Sequence, residues 1–138
     1  MKDWNPVIRS AYIKILKANQ PAYFEMAPDP VQVGKKFFLV HSISGVDDSD
    51  KNSFDGRVSV TVDCVVNAND GTLNIKDCEA MAGYLKDNIN SSACPDMSPD
   101  FKCLTTKITF DQSFNNLTGT NKVYRRLIRY EHIITQIT

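Results

Sequence analysis

The sequence predicts an α+β fold, a mixed or mainly antiparallel sheet of four to five strands packed against two helices. Three observations carry that prediction. The run Arg57-Val58-Ser59-Val60-Thr61-Val62-Asp63-Cys64 places an apolar residue at every second position, which is the period of a strand with one buried face. Two other segments, 6–18 and 72–89, space their apolar residues by three and four, the period of a helix with one buried stripe. Two long β-type runs then close the chain after a proline-containing linker, so the strands are not interleaved one by one with helices.

The first element is a helix over Pro6 to Ala18. Asn5 suits the N-cap, Pro6 suits the first helical position, and Ile8, Ala11, Tyr12, Ile15 and Leu16 form one stripe. Asn19-Gln20-Pro21 ends it. Ala22 to Glu25 reads as a short edge strand, and Pro28 and Pro30 mark the following stretch as loop or sheet margin, because proline cannot donate to a ladder. Phe37 to Ser44 is the next strand, with either Phe38 and Val40 or Phe37 and Leu39 facing the core. The valine strand, Arg57 to Asn67, follows, its second face carrying Arg57, Ser59, Thr61 and Asp63. Between these two strands residues 45–53 form a connection that is long and acidic for a hairpin.

Asn67 to Gly71 turns the chain into a second helix over Thr72 to Ile89. Asp77 and Glu79 lie near its positive end, Lys86 lies toward its negative end, and Ile75, Cys78, Ala82, Leu85 and Ile89 share a face. The linker Asn90 to Asp100, with Pro95 and Pro99, is too broken for regular structure. Two strands finish the chain, Phe101 to Phe114 and Lys122 to Ile137. Both exceed the usual five or six residues or so, so they reach past the core toward an interface.

A chain of 138 residues fits one domain over 1–138, burying roughly two thirds of the surface of the unfolded chain. Sixteen basic and sixteen acidic side chains cancel, which leaves no global field to draw in nucleic acid or an anionic membrane. The N-terminus lacks the apolar core of a secretory signal, and no apolar run approaches the ~20 residues of a membrane span. The expected location is the cytosol, where the four cysteines remain free thiols. Cys64 and Cys78 fall in phase with buried positions. A zinc site of Cys64, Cys78, Cys94 and Cys103 is the alternative, disfavoured because the spacings contain no close C-x-x-C pair.

Catalysis finds little support: no nucleophile motif, phosphate loop, dinucleotide fingerprint or H-E-x-x-H occurs, and no cofactor or metal is expected. His41 and His132 both fall on strands, where histidine is usually structural. An Asp63–His41 pair across neighbouring strands is the arrangement that acid–base chemistry would use. The visible charge cluster is Lys122, Arg125, Arg126 and Arg129, with Arg125 and Arg129 on one face of the last strand and Arg126 on the other. Arginine makes bidentate contacts with carboxylates. Asp47, Asp48 and Asp50 are therefore paired with Arg125, Arg126 and Arg129 as candidate residues of an interface between identical subunits.

The segments NPVIRSAYIKILKAN, MAPDPVQVGKKFFLV, GRVSVTVDCVV, NANDG, TLNIKDCEAMAGYLKDNI and VYRRLIRYEHIITQI, taken in that order, resemble the tail-completion, or tail-terminator, proteins of long-tailed bacteriophages. The resemblance spans nearly the whole chain, with the linker SSACPDMSPDF as a departure. It implies a structural virion protein that forms a ring of six copies, caps the tail tube, and presents a surface to the head connector. The implied partners are other copies of the chain, the tail tube protein and the connector or neck proteins, with DNA passing through the lumen and no membrane involved. The implied location is the head-proximal end of the virion tail, after synthesis in the host cytoplasm. Another head–tail joining protein is the nearest alternative, and a small cytosolic enzyme or ligand-binding module is the more distant one.

Overall fold

The computed structural model describes residues 3–25, 36–47, 55–68, 73–116 and 122–137. The elements are α1 (Asn5–Lys17), β1 (Ala22–Phe24), β2 (Lys36–Asp47), β3 (Asp55–Asn67), α2 (Ile75–Asn88), β4 (Phe101–Ser113) and β5 (Val123–Gln136). The five strands form one mixed sheet in the order β1-β2-β3-β5-β4, with β1 parallel to β2 and every other pairing antiparallel. The fold is α+β, as the hydrophobic periods require.

Both helices lie on the same face of the sheet, α1 over β1 and β2 and α2 over β3 and β5. The stripe of α1 buries Ile8, Tyr12 and Leu16, and that of α2 buries Cys78, Met81, Ala82 and Leu85. Facing them are Phe38 and Val40 of β2, Val58, Val60, Val62, Cys64 and Val66 of β3, and Ile128, Tyr130 and Ile134 of β5, all in one hydrophobic cluster. Of the two registers open for β2, Phe38 with Val40 is the one that faces inward. The irregular linker from 90 to 100 contributes Met97, buried in the same cluster beside Phe101.

Local chemistry corrects three boundaries. Helix α1 begins at Asn5 itself, with Trp4 in the cap position and no side-chain cap bond. Asn5 instead donates its N–H to Asp3 Oδ1 at 3.0 Å. Helix α2 begins at Ile75, because Asn74 caps it: its Oδ1 accepts from the Lys76 N–H, and Asp77 reaches back to the Asn74 N–H, both at 2.8 Å. That reciprocal arrangement stabilises a helix start by about 1 kcal/mol. It leaves Ile75 exposed rather than in the buried stripe. The β2–β3 hairpin is longer than the sequence suggests, since Gly45, Val46 and Asp47 still pair with Val58, Arg57 and Gly56. The irregularity between Val40 and Ser42 shifts the alternation by one, so Ile43 follows Val40 on the inner face with Ser42 and Ser44 outside, and the backbone ladder continues to Asp47.

Gly45 has a packing role in this hairpin. A Cβ at that position would lie 2.4 and 2.5 Å from two ring carbons of Trp4 and 2.9 Å from the Arg57 carbonyl oxygen. Trp4, partly buried against the core, therefore sits where only glycine leaves room. Gly45→Val is expected to displace the Trp4 ring and cost about 1–3 kcal/mol in urea unfolding, as overpacking does. Indole fluorescence should shift to the red, because Trp4 is the single tryptophan of the chain. An unchanged emission maximum with unchanged stability would refute this role.

Candidate functional site: the charged sheet face and its edges

The face of the sheet opposite the helices carries polar residues, and the register brings them together. Asp63 lies opposite Leu39 on one side and Leu127 on the other, with Arg125 and Arg129 two residues along β5 in either direction. Asp63 and Thr61 are buried even though they point away from the helices. Arg125 donates from Nε to Asp63 Oδ2 at 2.9 Å and forms a second, very short bond from Nη2 to the same oxygen. The other carboxylate oxygen, Oδ1, has no hydrogen-bond partner among the described residues. Burial pushes the Asp63 carboxyl upward, and the Arg125 bonds oppose that shift without cancelling it.

Each of the three candidate arginines has a partner in its own subunit. Arg126 makes a two-pronged contact with Asp111 on β4, from Nε to Oδ1 at 2.8 Å and from Nη2 to Oδ2 at 2.9 Å. Lys86 of α2 joins from the side at 2.6 Å. The Arg126 hydrogen bonds, assisted by Lys86, bring Asp111 down to about 2. Arg129 donates to Thr61 Oγ1 at 3.2 Å and lies over the Phe110 ring at 5.7 Å. As the strand period predicts, Arg126 occupies the helix side, and Arg125 and Arg129 occupy the opposite side. Asp47 is exposed at the end of β2, while Asp48 and Asp50 lie outside the described residues.

The acid–base arrangement does not form as a hydrogen-bonded pair. The hydrogen bonds of Asp63 go to Arg125, and His41, exposed at the irregularity between Val40 and Ser42, acts on it only through its charge. His132 is fully buried between the layers. Its Nε2 meets the Tyr12 hydroxyl in a very short contact, and its Nδ1 meets Thr106 Oγ1 at 2.9 Å with Cys103 Sγ at 3.6 Å. Burial lowers His132 to about 4 and raises Cys103 to about 11. A fully buried neutral imidazole and a half-buried protonated thiol at the margin of the core form a structural polar network. Sequence reasoning missed Tyr12, Thr106 and Asp111 as polar partners, since nothing in a stripe or an alternation says which hydroxyl or carboxylate lies across the layer.

The four-cysteine zinc set is excluded by distance. Cys64 lies opposite Arg126 and Cys103 opposite Ile134, eight residues along one strand, or roughly 26 Å. Cys64 and Cys78 are buried at one end, where the Cys78 thiol donates to the Cys64 carbonyl oxygen at 3.5 Å. Two open clefts of about 490 Å³ flank α1. Neither is lined by His41, Asp63 or His132. No helix among the described residues is long and apolar enough to cross a membrane.

Among the described residues the charged side chains Asp63, Asp111, Arg125 and Arg126 of the sheet are matched to partners within the chain, and the long strands β2 and β4 lie at or next to its edges. The fold matches that of a chain in the virion of a native gene transfer agent (GTA) particle, with a TM-score of 0.76 at 12% identity over 98% of this chain and 99% of that one. No protein-family model and no curated protein matches the sequence.

Proposed function

We propose that this chain is a structural protein of a phage-type virion, specifically the tail terminator or tail-completion protein. In this role copies of the chain, six in number, close into a ring that caps the tail tube and presents a docking surface to the head connector. The observation that carries the reading is the end-to-end agreement in fold with a chain of a GTA virion, with almost nothing left over on either side. The order of sequence segments that resembles the tail-completion family supports it independently. The role requires no active site, and the shifted groups His132 and Asp111 are used for packing and internal pairing. In this reading DNA passes through the ring, and the protein resides at the head-proximal end of the tail.

Asp47, Asp48, Asp50, Arg125, Arg126 and Arg129 remain interface candidates in this proposal, with their parts redistributed. Arg125 and Arg126 hold the sheet together from within, whereas Arg129 and Asp47 are exposed. Exposed pairs across a ring joint contribute register and specificity more than affinity.

Deleting the coding sequence from the particle-producing genome and viewing the lysate by negative-stain electron microscopy tests the role. Full heads beside unattached tails of irregular length are expected. Tails of normal length that fail to join heads would instead indicate a neck role, and normal infectious particles would overturn the structural reading altogether.

A further inference from the structure

The sheet has two unequal edges, and the register relates them. At one edge β1 covers β2 only from Phe38 to Val40, so among the described residues no strand pairs with Ser42 to Asp47 on that side. At the other edge β4 pairs with β5 alone, and its outer side has no strand neighbour among the described residues. Edge strands that do not serve as joints are usually short or interrupted. Here β4 runs for 13 residues; it is interrupted twice, yet leaves Thr105–Ile108 regular between the irregularities, and it exposes Leu104 and Ile108 at 46% and 41%, while β2 exposes Val46 at 58%.

We infer that these two edges are the halves of one joint between copies of this chain, β2 of one copy adding to β4 of the next. The inference rests on the ring reading above and specifies its geometry. Three successive antiparallel pairings separate β2 from β4, so the two strands run in opposite directions. A rotation that keeps the strands aligned with the ring axis therefore brings β2 against β4 in antiparallel fashion, which is the pairing a sheet extension favours. The contact is head-to-tail, joining different surfaces, and so closes by rotation rather than forming a two-fold dimer.

The register identifies which residues meet. Followed across the sheet, Ile43 lies level with Ile108, Ser44 with Lys107, Val46 with Thr105, and Asp47 with Cys103 beside Lys102. Irregularities between Val40 and Ser42 on β2, and between Cys103 and Thr105 and between Ile108 and Phe110 on β4, bound these stretches. What remains is Ile43–Val46 facing Thr105–Ile108, free of bulges on both sides. Ile43 and Ile108 both point to the helix side, and Ile108 lines a cleft of about 320 Å³ together with Asn90, Ser91 and Lys107 among others. Val46 lies level with Thr105, next to exposed Leu104 at the irregularity, and the acidic end of β2 lies near the level of Lys102. Ile43 thus opposes Ile108, small or β-branched residues and Lys107 fill the rest of the stretch, and the charges near its end, Asp47 and Lys102, have opposite sign.

Paired cysteines test the joint. Ser44 and Lys107 are exposed on the same face. Within one copy β3 and β5 keep their strands about 14 Å apart, too far for a disulfide. Ser44→Cys with Lys107→Cys, briefly oxidised, is expected to give a ladder of covalent multimers on non-reducing gels. Either single variant and the wild type should give none. Sedimentation velocity of the wild type runs alongside. If the wild type assembles and the double variant gives no ladder, the edge assignment is wrong while the ring stands. If the wild type remains a monomer at every concentration, the ring reading itself falls. Ile108→Glu should raise the concentration for half-assembly at least ten-fold with the circular dichroism unchanged, and assembly at the wild-type concentration would count against the joint.

Discussion

Arg125→Ala is expected to lower the free energy of unfolding by roughly 2–3 kcal/mol at pH 8, less than a fully buried pair would lose because the arginine itself is half-exposed. Asp63 is 0% exposed, and Arg125 is its hydrogen-bond donor among the described residues. Removing the guanidinium leaves a buried carboxylate with both oxygens unsatisfied. The pH dependence separates this cause from lost packing. Burial already raises the Asp63 carboxyl in the folded protein, and without Arg125 it rises further. A carboxyl whose folded value lies above its unfolded one is compatible with folding while protonated, and it opposes folding as pH rises through the folded value. The deficit of the variant relative to wild type should therefore shrink as pH falls toward 4. Urea unfolding of both proteins at pH 5 and pH 8 measures it, and terms common to both proteins cancel. Asp63→Leu combined with Arg125→Leu should recover most of the loss. An equal deficit at both pH values, with no recovery in the double variant, would show that Arg125 acts through packing alone.

The second large effect belongs to His132. Its folded value of about 4 lies below the ordinary 6.5 because burial disfavours the charged ring. Around it are the Tyr12 hydroxyl from α1, Thr106 and Cys103 from β4, and the stacked Tyr130 ring from β5, with no carboxylate among these neighbours. The unfolded chain takes up a proton near pH 6.5 that the folded one refuses until about pH 4. Stability is thus full above pH 6.5 and declines as pH falls toward 4. The loss amounts to about 3 kcal/mol, given about 1.4 kcal/mol per pH unit for one proton. Against a total of roughly 5–15 kcal/mol this is a substantial fraction. His132→Gln should be less stable at pH 7, since Gln cannot reproduce both hydrogen bonds in the same geometry, yet should lose the decline between pH 6.5 and 4. A variant with the wild-type slope would place the acid sensitivity elsewhere.

The two effects act in different layers and on different chemistry. His132 holds the helix layer to the sheet, whereas Asp63 and Arg125 hold two strands together on the face away from the helices. Both networks lie within the chain, so under the ring proposal the sheet edges rather than Arg125 and Arg126 are where a neighbouring copy would add contacts. A regular stretch of edge backbone donors and acceptors makes a stronger joint than exposed ion pairs, because the hydrogen bonds of a ladder are directional while surface charges are screened.

Much of the architecture was legible in the residues alone. The valines from 58 to 66 require a strand with one face toward the core, and Ile8, Tyr12 and Leu16 require a helix with one buried stripe. These are local periodicities, repeated often enough that no other conformation buries the same groups. Boundaries depended on single polar side chains, so Asn74 and its reciprocal bonds with Asp77 set the start of α2 where spacing alone placed it three residues earlier. The tertiary structure decided what depends on partners distant in sequence. Asp63 and Arg125 are 62 residues apart, and Tyr12 and His132 are 120 apart. Pairing at those separations follows from strand order and register, which a period of two leaves free. Strand order also decided that β4, the penultimate strand in sequence, lies outside β5 and becomes an edge. The sequence by itself therefore determined the elements and the apolar face most of them turn to the core, because that follows local pattern, whereas buried Thr61 and Asp63 and exposed Ile75 depart from it. Only the tertiary structure decided which charges are matched within the chain and which edges are left open, because both are properties of neighbours rather than of residues.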